Sequence, residues 1–102
     1  MDNEIEVSVE MPVEITDEGQ LLAIIRVMKG NIRPGSKLDW IREADGKERP
    51  VDLTVQRMWL FTREVDLIGP AYSGKLELTG DAGGELTPGS LLLRKEEGNP
   101  DH

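Results

Sequence analysis

The chain has no cysteine among its 102 residues. Disulfides and thiolate metal sites are therefore excluded, and the absence leans toward a reducing compartment. Histidine is nearly absent too. The one imidazole is His102, the last residue, where a frayed end holds no ring rigidly enough for general-base catalysis or metal ligation. Aromatics number four, namely Trp40, Trp59, Phe61 and Tyr72, so a core must be built from Leu, Ile and Val. No apolar run approaches the roughly 18–20 residues of a membrane-spanning helix. The first ten residues, MDNEIEVSVE, are acidic and unlike the basic start of a secretory signal. The expected location is the cytoplasm, with no membrane partner.

What is present is charge and turn residues. The net charge is −8, unevenly spread. Residues 1–20 hold seven acids and no base. Residues 21–63 hold nine bases and five acids, and residues 64–102 hold three bases and eight acids. A globally acidic chain is a poor nonspecific nucleic-acid binder, because phosphate contacts need surplus Lys and Arg. The basic middle segment could still form a local face, against the plainer reading of a solvated exterior of mixed charge.

The patterning is that of strands. Ile5, Val7, Val9 and Met11 alternate with polar residues, the period of a half-buried strand; Val13 and Ile15 continue it past Pro12. Leu21 to Val27 is almost continuously apolar, which predicts a strand covered on both faces. Leu38, Trp40 and Arg42 alternate with Asp39, Ile41 and Glu43. Asp45–Gly46 predicts a type I′ hairpin turn, with a return strand from Pro50 through Val51, Leu53 and Val55. The segment 57–68 fits a loose helix or a strand end followed by a loop. Strands at residues 72–80 and 91–95 complete about six, and six short strands without a helix point to a closed or nearly closed β-barrel. The domain is expected over residues 1–95, with a disordered polar tail at 96–102.

Three blocks of sequence resemble domain 2 of the translational GTPases, the β-barrel that follows the G domain in elongation factors Tu and G. Residues 26–38, RVMKGNIRPGSKL, are similar to that family's R-V-x-x-G-x-(I/L)-x-x-G-x-x-(V/L) hairpin. Val55 to Phe61 is similar to its barrel-crossing strand. Gly69, Tyr72–Ser73–Gly74 and Leu76, followed by Gly89–Ser90–Leu91, resemble its A-G-(D/E)-x-x-G element and G-(D/T)-x-L turn. The resemblance implies a six-stranded barrel that contacts rRNA, tRNA or a translation protein. It departs from the family in two ways. No G-x-x-x-x-G-K-(S/T) phosphate loop exists in the chain, so no nucleotide and no GTP hydrolysis are expected. Where elongation factor Tu places an acidic and a basic residue against the aminoacyl end of tRNA, Asp17–Glu18–Gly19–Gln20–Leu21 offers acids and no Arg.

The residues point to a non-catalytic binding module. Carboxylates at Glu4, Glu6 and Glu10 fall on one strand face, which reads as solvent-facing, and Asp81–Ala82–Gly83–Gly84–Glu85 lacks the ligand density of a calcium loop. Ser36, Ser73 and Ser90 have no structured base nearby. The candidate contacts are cationic and aromatic. Lys29, Arg33 and Lys37 surround the expected hairpin tip, with Arg26 before it and Arg42 farther along, placed to meet phosphates or an acidic partner or simply to keep a turn soluble. Trp59 and Phe61, two apart, are expected on one strand face with Arg57 and Arg63 at its ends, either inward in the core or outward to stack on a base or anchor a partner. An acidic protein–protein adaptor is the alternative function. No cofactor is expected, and the sequence leaves the oligomeric state open.

Overall fold

The computed structural model describes residues 4–11, 14–82 and 86–95. The described residues form eight strands and no helix: β1 (Ile5–Val9), β2 (Glu14–Ile15), β3 (Leu21–Lys29), β4 (Lys37–Arg42), β5 (Glu48–Leu60), β6 (Arg63–Val65), β7 (Ser73–Asp81) and β8 (Leu91–Arg94). Six of them close a barrel in the order β1-β3-β7-β5-β4-β8, with β8 pairing back onto β1. Every pairing is antiparallel. Closure leaves only the short β2 and β6 as edges, so no long strand presents an unpaired ladder. Val7, Val9, Ile25, Val27, Leu38, Ile41, Leu53, Met58, Leu76, Leu78 and Leu92 fill the interior. No helix of the described residues is long and apolar enough to cross a membrane.

Residues 26–38 do not form a hairpin. β3 already has β1 and β7 on its two sides, and β4 has β5 and β8. Neither has a free edge for the other. The segment instead crosses one end of the barrel. Midway, Ile32 is fully buried and exchanges two backbone hydrogen bonds with Ile68, at 2.9 and 3.0 Å. Arg33–Pro34–Gly35–Ser36 then forms the expected Pro-Gly turn. Ser36 N–H donates to the Arg33 carbonyl at 2.9 Å, and Gly35 sits at φ +92°, the geometry of a type II turn. Gly35 N–H donates to the Val55 carbonyl, and Val55 N–H donates to that of Ser36, so the turn is sewn to β5.

The same stitch occurs a second time. Thr87–Pro88–Gly89–Ser90 turns alike, with Gly89 at φ +91°. Gly89 N–H donates to the Val9 carbonyl, and Val9 N–H donates to that of Ser90. The strand sets β1-β3-β4 and β5-β7-β8 thus occupy matching places, related by an approximate two-fold axis through the β3–β7 and β4–β8 pairs. The sequence carries the trace as G-x-(I/L)-x-P-G-S-x-L, at residues 30–38 and again at 84–92. Each half also has a glycine pressed against the opposite strand, Gly30 on Glu4 and Gly80 on Asp52.

Bulges account for most departures from simple alternation, since one extra residue turns the following side chains to the other face. The β4–β5 register shifts between Leu38 and Trp40, so Leu38 and Ile41 point inward and Trp40 lies half-buried on the outside. The β5–β7 register shifts between Val55 and Arg57, which buries Met58 and turns Trp59 outward. β5 runs on to Leu60, as the strand-end reading of 57–68 expects, and then folds back as β6 in place of the expected loop, while the helix reading fails. β3 buries only Ala23, Ile25 and Val27, while Ile24 stands 37% exposed because no layer covers that face. Met11 and Ile15 are exposed rather than continuing the inward row, and Val13 lies outside the described residues. At Asp45–Gly46 only Gly46 has positive φ. Gly46 N–H donates to Glu43 and Glu43 N–H to Lys47, giving a three-residue type I loop with a bulge rather than type I′. The tail at 96–102 and most of the 81–85 stretch also fall outside the described residues.

Candidate nucleic-acid interface

The cations of the crossing segment fare differently from one another. Lys29 ends β3 and binds the Glu4 carboxylate at 2.5 Å. Arg42 is held by Glu48 at 2.8 Å. Glu48 also accepts from Lys95 Nζ, which lies 4.7 Å from the centre of the Trp40 ring. Arg33 and Lys37 are exposed, and neither side chain has a partner among the described residues. The three cations expected at one tip are therefore split by the crossing path and by ion pairing, which leaves Arg33 and Lys37 as the uncommitted pair.

The ion pairs around Glu48 make a prediction about acid. Hydrogen bonds from Lys95 and then Arg42 hold the Glu48 carboxyl below the usual glutamate range. A depressed folded-state pKa gives stability that is present above the unfolded pKa and lost as pH falls through the folded one. Glu48→Gln is expected to flatten the loss of stability below about pH 4.5, the ordinary glutamate value, as read by denaturant midpoints across pH. Because the ion pairs lie at the surface, the effect should be small and should shrink in salt.

The aromatic candidates stand on a face of their own. Met58 is buried, so its neighbour Trp59 points out from the β5–β7 pair, directly opposite Lys75. Lys75 Nζ lies 5.0 Å from the Trp59 ring centre and the Arg57 guanidinium 5.6 Å, both within cation–π range. Arg57 in turn donates to Glu77 at 2.9 Å. That bond raises the arginine's pKa and satisfies a carboxylate that is only 5% exposed. The core reading of Trp59 and Phe61 fails, and they do not share a strand face. Phe61 occupies the tip of the β5–β6 hairpin, 99% exposed.

Phe61 is also strained. Its φ is +58°, a region that costs a residue with a Cβ about 1–2 kcal/mol and that hairpin turns normally fill with Gly or Asn. A bulky apolar ring held in water on such a backbone is stabilised by nothing inside the fold. Beside it, Arg63 starts β6 exposed and without a described partner. Tyr72, 62% exposed, and Arg26 lie at the adjoining end of the β3–β7 pair, where Val27 N–H donates to the Tyr72 carbonyl and Arg26 sits opposite Ser73. The surface therefore sets Trp59, Phe61 and Tyr72 among Arg57, Arg63, Lys75 and Arg26, with an acid, Glu64, opposite Trp59, and its rings and cations suit unpaired bases and their phosphates. Lys75 and Tyr72 were not among the sequence candidates, whereas Arg57 and Arg63 were expected at the ends of the Trp59 face. The signal for Lys75 and Tyr72 lay in how β7 pairs with β5 and β3, which the sequence pattern alone does not give.

Among the described residues no cluster of three or more His, Asp or Glu side chains is placed to hold a metal ion. No known family model and no curated protein matches this sequence.

Proposed function

We propose that the chain is a non-catalytic RNA-contacting module that works in translation. The observation that carries the RNA reading is the Trp59–Lys75–Arg57 face, with Phe61 presented in full at the hairpin beside it. The translational setting rests on the resemblance of residues 26–38, 55–61 and 69–91 to domain 2 of elongation factors Tu and G. In this reading Phe61 and Trp59 stack on bases. Arg63, Lys75 and Arg26 meet the phosphates. Arg33 and Lys37 extend the contact around the barrel end, and the ligand is single-stranded rRNA or tRNA.

Fluorescence anisotropy with a labelled single-stranded RNA, titrated over salt, tests this. Stacking is worth about 1–3 kcal/mol per base. Phe61→Ala and Trp59→Ala should each weaken binding by roughly tenfold or more, since about 1.4 kcal/mol is a factor of ten. Arg63→Ala should instead lower the salt slope by about one while weakening all sequences alike. Binding that is unchanged in the Phe61→Ala, Trp59→Ala double variant sinks the reading.

The second reading is a protein adaptor. The apolar depression of Met11, Leu22 and Ile24, bordered by Glu14 and Lys75, favours it. Retention on ribosomal particles that survives nuclease and is abolished by Ile24→Glu would select it over RNA.

A further inference from the structure

We propose that the barrel end beneath the crossing segment holds a phosphate-binding site built on Arg33 and Arg94. The two residues are 61 positions apart in sequence. They share one polar depression of about 270 Å³, lined also by Glu4, Gly30, Asn31 and Ser36. Arg94 arrives there because β8 pairs with β1, which sets it opposite Ile5. Arg33 arrives because its turn is sewn to Val55 of β5. Neither guanidinium has a hydrogen bond or ion pair to another described residue. The one carboxylate in the depression, Glu4, is already bound by Lys29. Two arginines with uncommitted guanidinium groups therefore line the same polar depression, and each offers the planar fork that fits phosphate oxygens in pairs. Ser36 Oγ accepts the Arg33 N–H at 3.0 Å, which leaves its own hydrogen to donate onward.

The internal repeat supplies a comparison within the same molecule. At the matching places of the other half, residue 33 becomes Thr87 and residue 94 becomes Trp40. Both turns fold alike, so neither arginine is required by the turn or by the strand after it. At the second turn the hydroxyls of Thr87 and Ser90 bond to each other at 3.0 Å. Trp40 is covered by Lys95, which is itself paired with Glu48. The polar groups of that end satisfy one another, whereas the Arg33–Arg94 end keeps its cations open. The ligand chemistry this fits is a phosphomonoester, either the terminal phosphate of a nucleic acid or a small phosphorylated molecule. The site does not depend on the Trp59 face.

Amide and arginine Nε–H shifts, followed by NMR while inorganic phosphate replaces chloride at constant ionic strength, read the site directly. Saturable shifts are expected at Gly30, Asn31 and Ser36 and at the Nε–H of Arg33 and Arg94. Arg33→Gln with Arg94→Gln should weaken phosphate binding by about tenfold or more, because the charge-assisted bonds of both guanidinium groups are lost. Lys47→Gln, a charge change on the Asp45–Gly46 loop, should leave it unchanged, and so should the Phe61→Ala, Trp59→Ala double variant. Unchanged saturable shifts in the double arginine variant overturn the proposal, as do wild-type shifts that follow ionic strength alone. A second arm compares 5′-phosphorylated with 5′-hydroxyl tetrauridylate. Tighter binding of the phosphorylated strand assigns the site to a nucleic-acid end. Equal binding of the two, with inorganic phosphate still saturating, assigns it to a small phosphorylated ligand.

Discussion

Gly80→Ala should destabilise the barrel more than any other single methyl addition. A Cβ at this position would lie 1.9 Å from the Asp52 carbonyl oxygen and 3.3 Å from the Leu53 Cα. Both are backbone atoms of β5, so no side chain can swing aside. The residue also sits at φ +119°, where an L side chain is strained whatever the space. Overpacking costs about 1–3 kcal/mol and the wrong backbone region about 1–2 more. A total of about 2–5 kcal/mol is a large part of the 5–15 kcal/mol that holds a domain together. Gly35→Ala is the internal control. It has φ +92° but nothing within 4 Å of its would-be Cβ, so only the conformational part of about 1–2 kcal/mol applies. Denaturant midpoints of the two variants should separate the clash from the strain. Equal losses would mean that the close approach of β7 to β5 relaxes without cost.

Ile32→Ala comes second. Ile32 lies outside every strand, yet it is fully buried and joined to Ile68 by two backbone hydrogen bonds. It closes the end of the barrel in the way a strand residue closes a wall. Truncating a buried Ile costs about 2–5 kcal/mol, and the upper part of that range applies where the site cannot collapse. The neighbouring backbone is fixed at Ile68 and at Val55, so collapse is restricted. The melting temperature should fall by about 15 °C or more, given roughly 4–8 °C per kcal/mol for a domain of this size. Ile32→Val should cost only about 0.5–1.5 kcal/mol. A loss in Ile32→Ala no larger than in Ile32→Val would show that this end of the barrel packs loosely.

The barrel was legible because its signals are local. Alternation in Ile5–Val9, the Pro-Gly pairs at 34–35 and 88–89, and the glycine-containing loops at 16–19 and 43–47 each act within a few residues, and each forms its turn or strand in the structure. Only the type of the Asp45–Gly46 turn differs. Neither the β4–β5 and β5–β7 bulges nor the β1–β3 register shift between Glu6 and Val7 was legible, because a bulge is a property of a pair of strands. Val55 and Arg57 shift only where β5 meets β7, and Leu38 and Trp40 only where β4 meets β5. Those shifts decide the faces of Trp40 and Trp59, and the β5–β7 shift decides the composition of the Trp59 surface. The repeat of G-x-(I/L)-x-P-G-S-x-L was present in the sequence throughout. Its meaning becomes evident once both turns are seen sewn to equivalent strands.

The cations divide along the same line. Composition alone places nine bases in residues 21–63 and marks the segment as the basic part of an acidic chain. Which of them are free to meet a ligand is a tertiary question. Lys29 is tied to Glu4 and Arg42 to Glu48, while Arg33 is joined by Arg94 from the far end of the chain. The sequence by itself determined an all-β barrel with its turns, because periodicity and turn chemistry are short-range. Tertiary structure decided that residues 26–38 cross the barrel end, that Phe61 is a strained and exposed tip, and which charges remain uncommitted. Strand partners and ion pairs are choices among distant residues, and distance along the chain carries no record of them.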